Sequence, residues 1–205
     1  MTLLNSKLYV VLFVSSKIGQ GENKKGRLVI ISGPSGSGKT TICKQLMENS
    51  RIRRSISYTT RGRREGEKEG IDYHFIEKSE FEKLINENKL AEHAEYCGSL
   101  YGTPIEPIKE AIENGKIFIL AIDVMGALQI MKKIPEVTSI FIMPPDDETL
   151  RQRLRERLTD SDVDIHKRLE LANEELKYSK HYDFCVVNDQ LDDTVKKIRG
   201  ILNLS

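Results

Sequence analysis

Residues 33–40 read Gly-Pro-Ser-Gly-Ser-Gly-Lys-Thr, which fills the pattern G-x-x-x-x-G-K-[ST] at every position. The run before it, Arg27 to Ser32 (RLVIIS), is short and apolar and reads as a buried parallel strand. The run after it, Thr40 to Glu48, sets Ile42, Leu46 and Met47 on one side of a helix. Strand, glycine-rich loop and helix, in that order, point to an α/β fold whose loop wraps a phosphate group. Several backbone N–H groups must converge on one anion, so side-chain bulk has to stay small, as it is at Gly33, Gly36 and Gly38. The helix that follows adds its positive N-terminal end. Lys39 suits a bridge between β- and γ-phosphates, and the Thr40 hydroxyl suits Mg²⁺. Pro34, Ser35, Ser37 and Thr41 complete the candidate ATP-binding stretch.

Further buried strands are expected at Lys116 to Asp123 (KIFILAID), Thr138 to Met143 (TSIFIM) and Phe184 to Val187 (FCVV). Helices are expected at Pro104 to Glu113, at Asp147 to Leu158, on the Ile165, Leu169, Ala172, Leu176 spacing, and at Leu191 to Leu202. Such alternation predicts a parallel sheet flanked by helices. Between them, Asp72 to Ile76 reads as a strand, Ser79-Glu80-Phe81-Glu82 as a capping box, and Leu90 to Tyr96 with Cys97-Gly98-Ser99 as a hairpin. Residues 1–25 read as an N-terminal extension, and residues 26–205 as one domain.

The charges nearly cancel, with 32 Lys and Arg against 31 Asp and Glu. That argues against a nucleic-acid coat protein, which needs a sustained positive excess. Three scattered cysteines form neither a disulfide framework nor a zinc site, and no apolar stretch reaches membrane-helix length. A reduced, cytoplasmic protein is the expectation. Positive charge is concentrated locally: Arg51 to Arg64 holds six arginines and no acid. Asp123 ends a strand whose C-terminal end faces the ligand crevice, where an acid serves either a turn or a ligand, including Mg²⁺ through water.

Ser57-Tyr58-Thr59-Thr60-Arg61-Gly62-Arg63-Arg64, Asp72-Tyr73-His74-Phe75, Glu92, Tyr101-Gly102-Thr103-Pro104 and Ile122-Asp123 occur in this order. Together with the phosphate loop they closely resemble the guanylate kinase family, from about Arg27 to Leu202. The resemblance implies a P-loop NTPase-type core (26–57, 108–144 and 171–205) with a GMP-binding insertion (58–107) and a lid (145–170). It implies that Arg61 and Arg64 hold the GMP phosphate with the hydroxyls of Tyr73 and Tyr101. Ser57, Glu92, Thr103 and Asp123 would read guanine and the adjoining pocket. Guanine offers N1–H and a 2-amino group on one edge, and a carboxylate accepts from both. Adenine offers neither, so that carboxylate would be stranded. Taken residue by residue, Tyr73 and Tyr101 equally suit a core, and Arg51, Arg53, Arg54 and Arg63 suit a solvated face.

Arg153, Arg157 and Arg168 match the family's lid arginines, which act with Lys39 and Arg61 on the moving phosphoryl group. Asn188 matches a position near the adenine of ATP. Leu158 and Ala121 depart from the pattern, where the family usually has Gly and an acid. The expected reaction is phosphoryl transfer from ATP, with Mg²⁺, to GMP and dGMP, serving purine nucleotide metabolism. Expected partners are ATP and GMP, with no nucleic acid and no membrane, in a monomer or homodimer. Rival readings are another small-molecule P-loop kinase and a non-catalytic module that binds proteins. Glu92, Tyr73 and Tyr101 favour a nucleotide acceptor over the first, and Gly38, Lys39 and Thr40 argue against the second.

Overall fold

The structure is a computed structural model that describes residues 26–155 and 162–204, the side chains of 162–167 excepted. Its core is a five-stranded parallel sheet in the order β2-β7-β1-β8-β9, formed by β1 (Arg27–Ser32), β2 (Ile52–Arg54), β7 (Ile117–Ala121), β8 (Thr138–Met143) and β9 (Phe184–Val187). Both faces of this sheet are covered. Along β1, Leu28 and Ile30 point to one side, and Val29 and Ile31 to the other. The period of two in a strand dictates this division. The first side packs on Ile108 and Ile112 of α3 (Glu106–Glu113) and on Ala127 and Ile130 of α4 (Val124–Lys133). The second packs on Ile42 and Leu46 of α1 (Lys39–Leu46) and on Val195 and Ile198 of α7 (Leu191–Ile201). Each such aliphatic side chain contributes roughly 1.5–3 kcal/mol on full burial, so the central strands are continuous apolar runs.

A second, four-stranded sheet has the order β4-β3-β6-β5. It comprises β3 (Tyr58–Thr59), β4 (His74–Phe75), β5 (Leu90–Tyr96) and β6 (Ser99–Pro104). The helix α2 (Lys78–Asn86) buries Phe81. β5 and β6 form an antiparallel hairpin turning through Cys97 and Gly98, both at positive φ. Two helices, α5 (Asp147–Arg155) and α6 (Asp162–Leu176), pack through Leu150, Leu154, Leu169 and Ala172.

Several expectations shift. The helix read from Pro104 begins at Glu106, because Pro104 still pairs with Leu90 in the hairpin. The capping box at Ser79 does not form: α2 starts at Lys78 with Glu77 as its cap residue and no side-chain cap bond. The strand read through Asp123 ends at Ala121, and Asp123 instead caps α4, a helix the sequence reading left out. The short strand β2 was also missed. It exists because Ile52–Arg54 pair with Ile117–Ile119. Arg157 and Leu158, with residues 1–25, lie outside the described residues. Cys43, Cys97 and Cys185 form no disulfide. No helix among the described residues is long and apolar enough to cross a membrane.

Candidate active site

The phosphate loop leaves the C-terminal end of β1 and enters α1. At Gly38, the residue before α1, φ is +95°. A Cβ built there would lie 2.2 Å from Asn188 Nδ2. Conformation and space therefore both demand glycine. Asn188 follows β9, is buried, and donates from Nδ2 to the Ser37 carbonyl (2.8 Å). Arg153 Nη2 of α5 donates to the Asn188 carbonyl (3.1 Å). The loop, α5 and the β9 end are thus tied at one point. Beside it lies an open pocket of about 350 Å³ lined by Gly36, Gly38, Thr41, Arg153, Asn188, Asp189 and Leu191. Asp189 and Leu191 were not singled out in sequence, since their position shows only once β9 is placed.

Lys39 folds back over the loop, donating from Nζ to the carbonyls of Gly33 (2.6 Å) and Pro34 (2.9 Å). Thr40 and Thr41 are exposed on the first turn of α1, whereas Ser37 is buried. Sequence reasoning missed Glu175. It stands on α6, two turns after Arg168, and is only 6% exposed. Its carboxylate accepts from the Ser35 N–H and faces Lys39 and Asp123. Burial, the larger effect, pushes its pKa up to about 7, against the pull of Lys39. Its Oε2 has no hydrogen-bond partner. Nothing in the sequence separates this acid from others on a highly charged helix.

The second sheet carries two further groups of the expected residues. In the first, Arg61 Nε donates to the Tyr101 hydroxyl (3.2 Å), and its guanidinium carbon lies 5.7 Å from the Tyr73 ring centre. The Tyr73 and Tyr101 rings meet edge to face at 5.9 Å. Arg64 joins through its backbone N–H, which donates to Glu67 Oε2 (2.8 Å). Arg51, Arg53 and Arg63 are exposed, as a solvated face requires, whereas Arg54 is half-buried and donates from Nη2 to the Ile71 carbonyl (2.8 Å).

In the second group, Glu92 on β5 is 2% exposed. The Thr103 hydroxyl, across the hairpin on β6, donates to Glu92 Oε1 (2.5 Å). Burial is the main cause that pushes the Glu92 pKa up to about 7, with the Asp123 charge adding to it and the Thr103 bond opposing it. Asp123 Oδ1 accepts from the Gly126 N–H (2.8 Å). Ser57 is buried just before β3.

Gly126 was another omission, although a glycine inside an apolar helical run is a signal of close approach. A Cβ at this position would lie 2.4 Å from Glu92 Oε2. On the role that the resemblance implies for Glu92, Gly126→Ala is expected to raise KM for GMP about tenfold or more by displacing the carboxylate, on the scale of a lost charged hydrogen bond. KM for ATP should hold. Alanine is also the better helix former, by roughly 1 kcal/mol, so the melting temperature should not fall steeply. Steady-state kinetics with each nucleotide varied in turn checks this.

The family model described as guanylate kinase matches residues 25–204. The guanylate kinase of Desulfitobacterium hafniense is 42% identical over 182 residues, covering 88% of this chain and 91% of its own length. That of Caldanaerobacter subterraneus subsp. tengcongensis is 45% identical over 180 residues, covering 87% of each. The crystal structure of guanylate kinase from Anaplasma phagocytophilum matches with a TM-score of 0.75 and 35% identity, over 88% of this chain and 86% of that one. A phosphate loop between β1 and α1 agrees with these matches, and this chain belongs to the guanylate kinase family.

Proposed function

We propose that this chain transfers the γ-phosphoryl group of ATP to GMP, giving ADP and GDP, with dGMP as a second acceptor. The observation that carries this reading is the buried Glu92 carboxylate, held by Thr103 and walled by Gly126. In its ionised form the buried carboxylate asks for further donors, and the guanine edge supplies N1–H and the 2-amino group. Arg61, Arg64, Tyr73 and Tyr101 take the GMP phosphate. Ser57 and Asp123 border the base. The P-loop takes the phosphates of ATP, with Thr41 and Asn188 toward the nucleoside.

A GMP phosphate oxygen attacks the γ-phosphorus, and the bond from that phosphorus to the bridging β,γ-oxygen breaks, releasing ADP. The attacking phosphate is already an anion, so no general base is needed. Charge gathers on the transferred group's equatorial oxygens, and Lys39, Arg61, Arg153, Arg157 and Arg168 neutralise it. Lys39 leaves the Gly33 and Pro34 carbonyls to do so. Closure of residues 58–107 and 145–170 over the core excludes water and suppresses hydrolysis.

The donors near the loop suit Mg²⁺: the Thr40 hydroxyl and the carboxylates of Asp123 and Glu175 are hard oxygens. Mg²⁺ is commonly held by one or two protein oxygens together with substrate phosphates and water. Bound with ATP, it would offset charge between the β- and γ-phosphates, Thr40 contributing directly and Asp123 through water. The reading places the chain in a compartment that supplies ATP and GMP, the cytoplasm. Incubation with Mg²⁺, ATP and GMP should yield GDP and ADP in equal amounts by anion-exchange chromatography. ADP without GDP would overturn the proposal.

A further inference from the structure

The segment after Arg64 reads Glu65-Gly66-Glu67 and carries no ligand role in the site described above. It forms a turn in which the Glu67 N–H donates to the Arg64 carbonyl (3.2 Å). This brings the Glu67 carboxylate back onto both expected phosphate-binding residues. Arg61 Nη2 donates to its Oε1 (2.8 Å) and Oε2 (3.0 Å), and the Arg64 N–H donates to Oε2 (2.8 Å). Arg61 is fixed elsewhere by Nε to the Tyr101 hydroxyl (3.2 Å) and Nη1 to the Gly62 carbonyl (2.6 Å). The ion pair is largely buried, at 15% and 19% side-chain exposure. An arginine so held loses little freedom when it meets an anion.

We infer that Glu67 is a positioning residue, which presets the Arg61 guanidinium and the turn bearing Arg64 for the phosphate of the acceptor nucleotide. It acts through Arg61 and touches no substrate. The inference rests on the assignment of Arg61 to the GMP phosphate. A carboxylate that merely filled the phosphate position until GMP arrived would compete with it, and its removal would tighten binding. A positioning carboxylate has the opposite sign.

The test compares Glu67→Ala, Glu67→Asp and Arg61→Ala. Glu67→Ala should raise KM for GMP about 10- to 100-fold, the range expected for a charge-assisted hydrogen bond. KM for ATP should stay within about twofold, well inside the effect of one such bond. Inhibition by guanosine, which lacks the phosphate, should be unchanged in Glu67→Ala. Glu67→Asp should recover part of the loss. A KM for GMP that falls or holds in Glu67→Ala overturns the inference, as does equal weakening of guanosine and GMP, which marks a general structural role. Arg61→Ala separates the two layers. If it leaves KM for GMP unchanged, the phosphate assignment itself fails. If it raises that KM and Glu67→Ala does not, only the positioning role fails.

Discussion

Lys39→Ala is expected to lower kcat by about 10³-fold or more, the range for removing a preorganised cation or donor from developing transition-state charge. The side chain leaves the first residue of α1 and is half-buried. Its described bonds go to two loop carbonyls and not to the hydrophobic core. Loss of Nζ therefore removes the proposed catalytic cation with little cost to the fold. Glu175, buried next to Lys39, would keep a raised pKa and lose its nearest compensating charge. Pre-steady-state phosphoryl transfer, with circular dichroism to confirm the fold, checks the prediction. A variant within tenfold of the parent would remove Lys39 from the chemistry.

Glu92→Gln is expected to lower kcat/KM for GMP by about 10²- to 10³-fold while leaving KM for ATP unchanged, a discrimination of the kind set by unpaired buried polar groups. The amide presents one acceptor and a donor where guanine presents two donors. The Thr103 hydroxyl keeps a partner either way, donating to the glutamine oxygen or accepting from its NH₂ group, so the loss falls on guanine. The pH dependence follows from the same residue. With its pKa pushed up to about 7, Glu92 in the free protein is partly protonated in mildly acidic solution. Guanine donors favour the charged form, so kcat/KM for GMP should rise between about pH 6 and 8 and level off above. The same shift has the opposite sign for stability. Between the ordinary value of 4.5 and about 7 the folded chain holds more protons at Glu92 than the unfolded chain. Its contribution to stability is full below 4.5 and is lost as pH rises through 7. In Glu92→Gln the rise in kcat/KM should disappear.

The legible parts of the fold were local in origin. The loop at 33–40 and the apolar runs of β1, β7 and β8 declare themselves within six or eight residues. β2 does not, because two of its three residues are arginines and only Ile52 is buried; pairing with β7 makes it a strand. Helix α4 was hidden for another reason. Its start, Ile-Asp-Val-Met-Gly, joins the apolar run of β7 without a visible break, and Asp123 drew attention as a ligand while its N-cap bond to Gly126 went unread. The site divides along the same line. Lys39, Glu92 and the arginine-rich segment follow from motif and resemblance. Glu67, Glu175 and Gly126 do not, since two acids among 31 acquire meaning only from what they touch. Gly126 matters because Glu92 arrives from a strand more than thirty residues earlier in the chain. Glu175 also bears on Ala121, which stands where the resemblance expects an acid: its carboxylate reaches the loop from α6 by accepting from the Ser35 N–H.

The most direct measurement is ADP release, coupled to a dehydrogenase readout, with GMP, AMP, UMP and dTMP each offered as acceptor at equal concentration. Recognition by Glu92 predicts kcat/KM for GMP at least about 10³-fold above that for AMP, the scale set by stranding a buried carboxylate. Equal or faster turnover with AMP would contradict it.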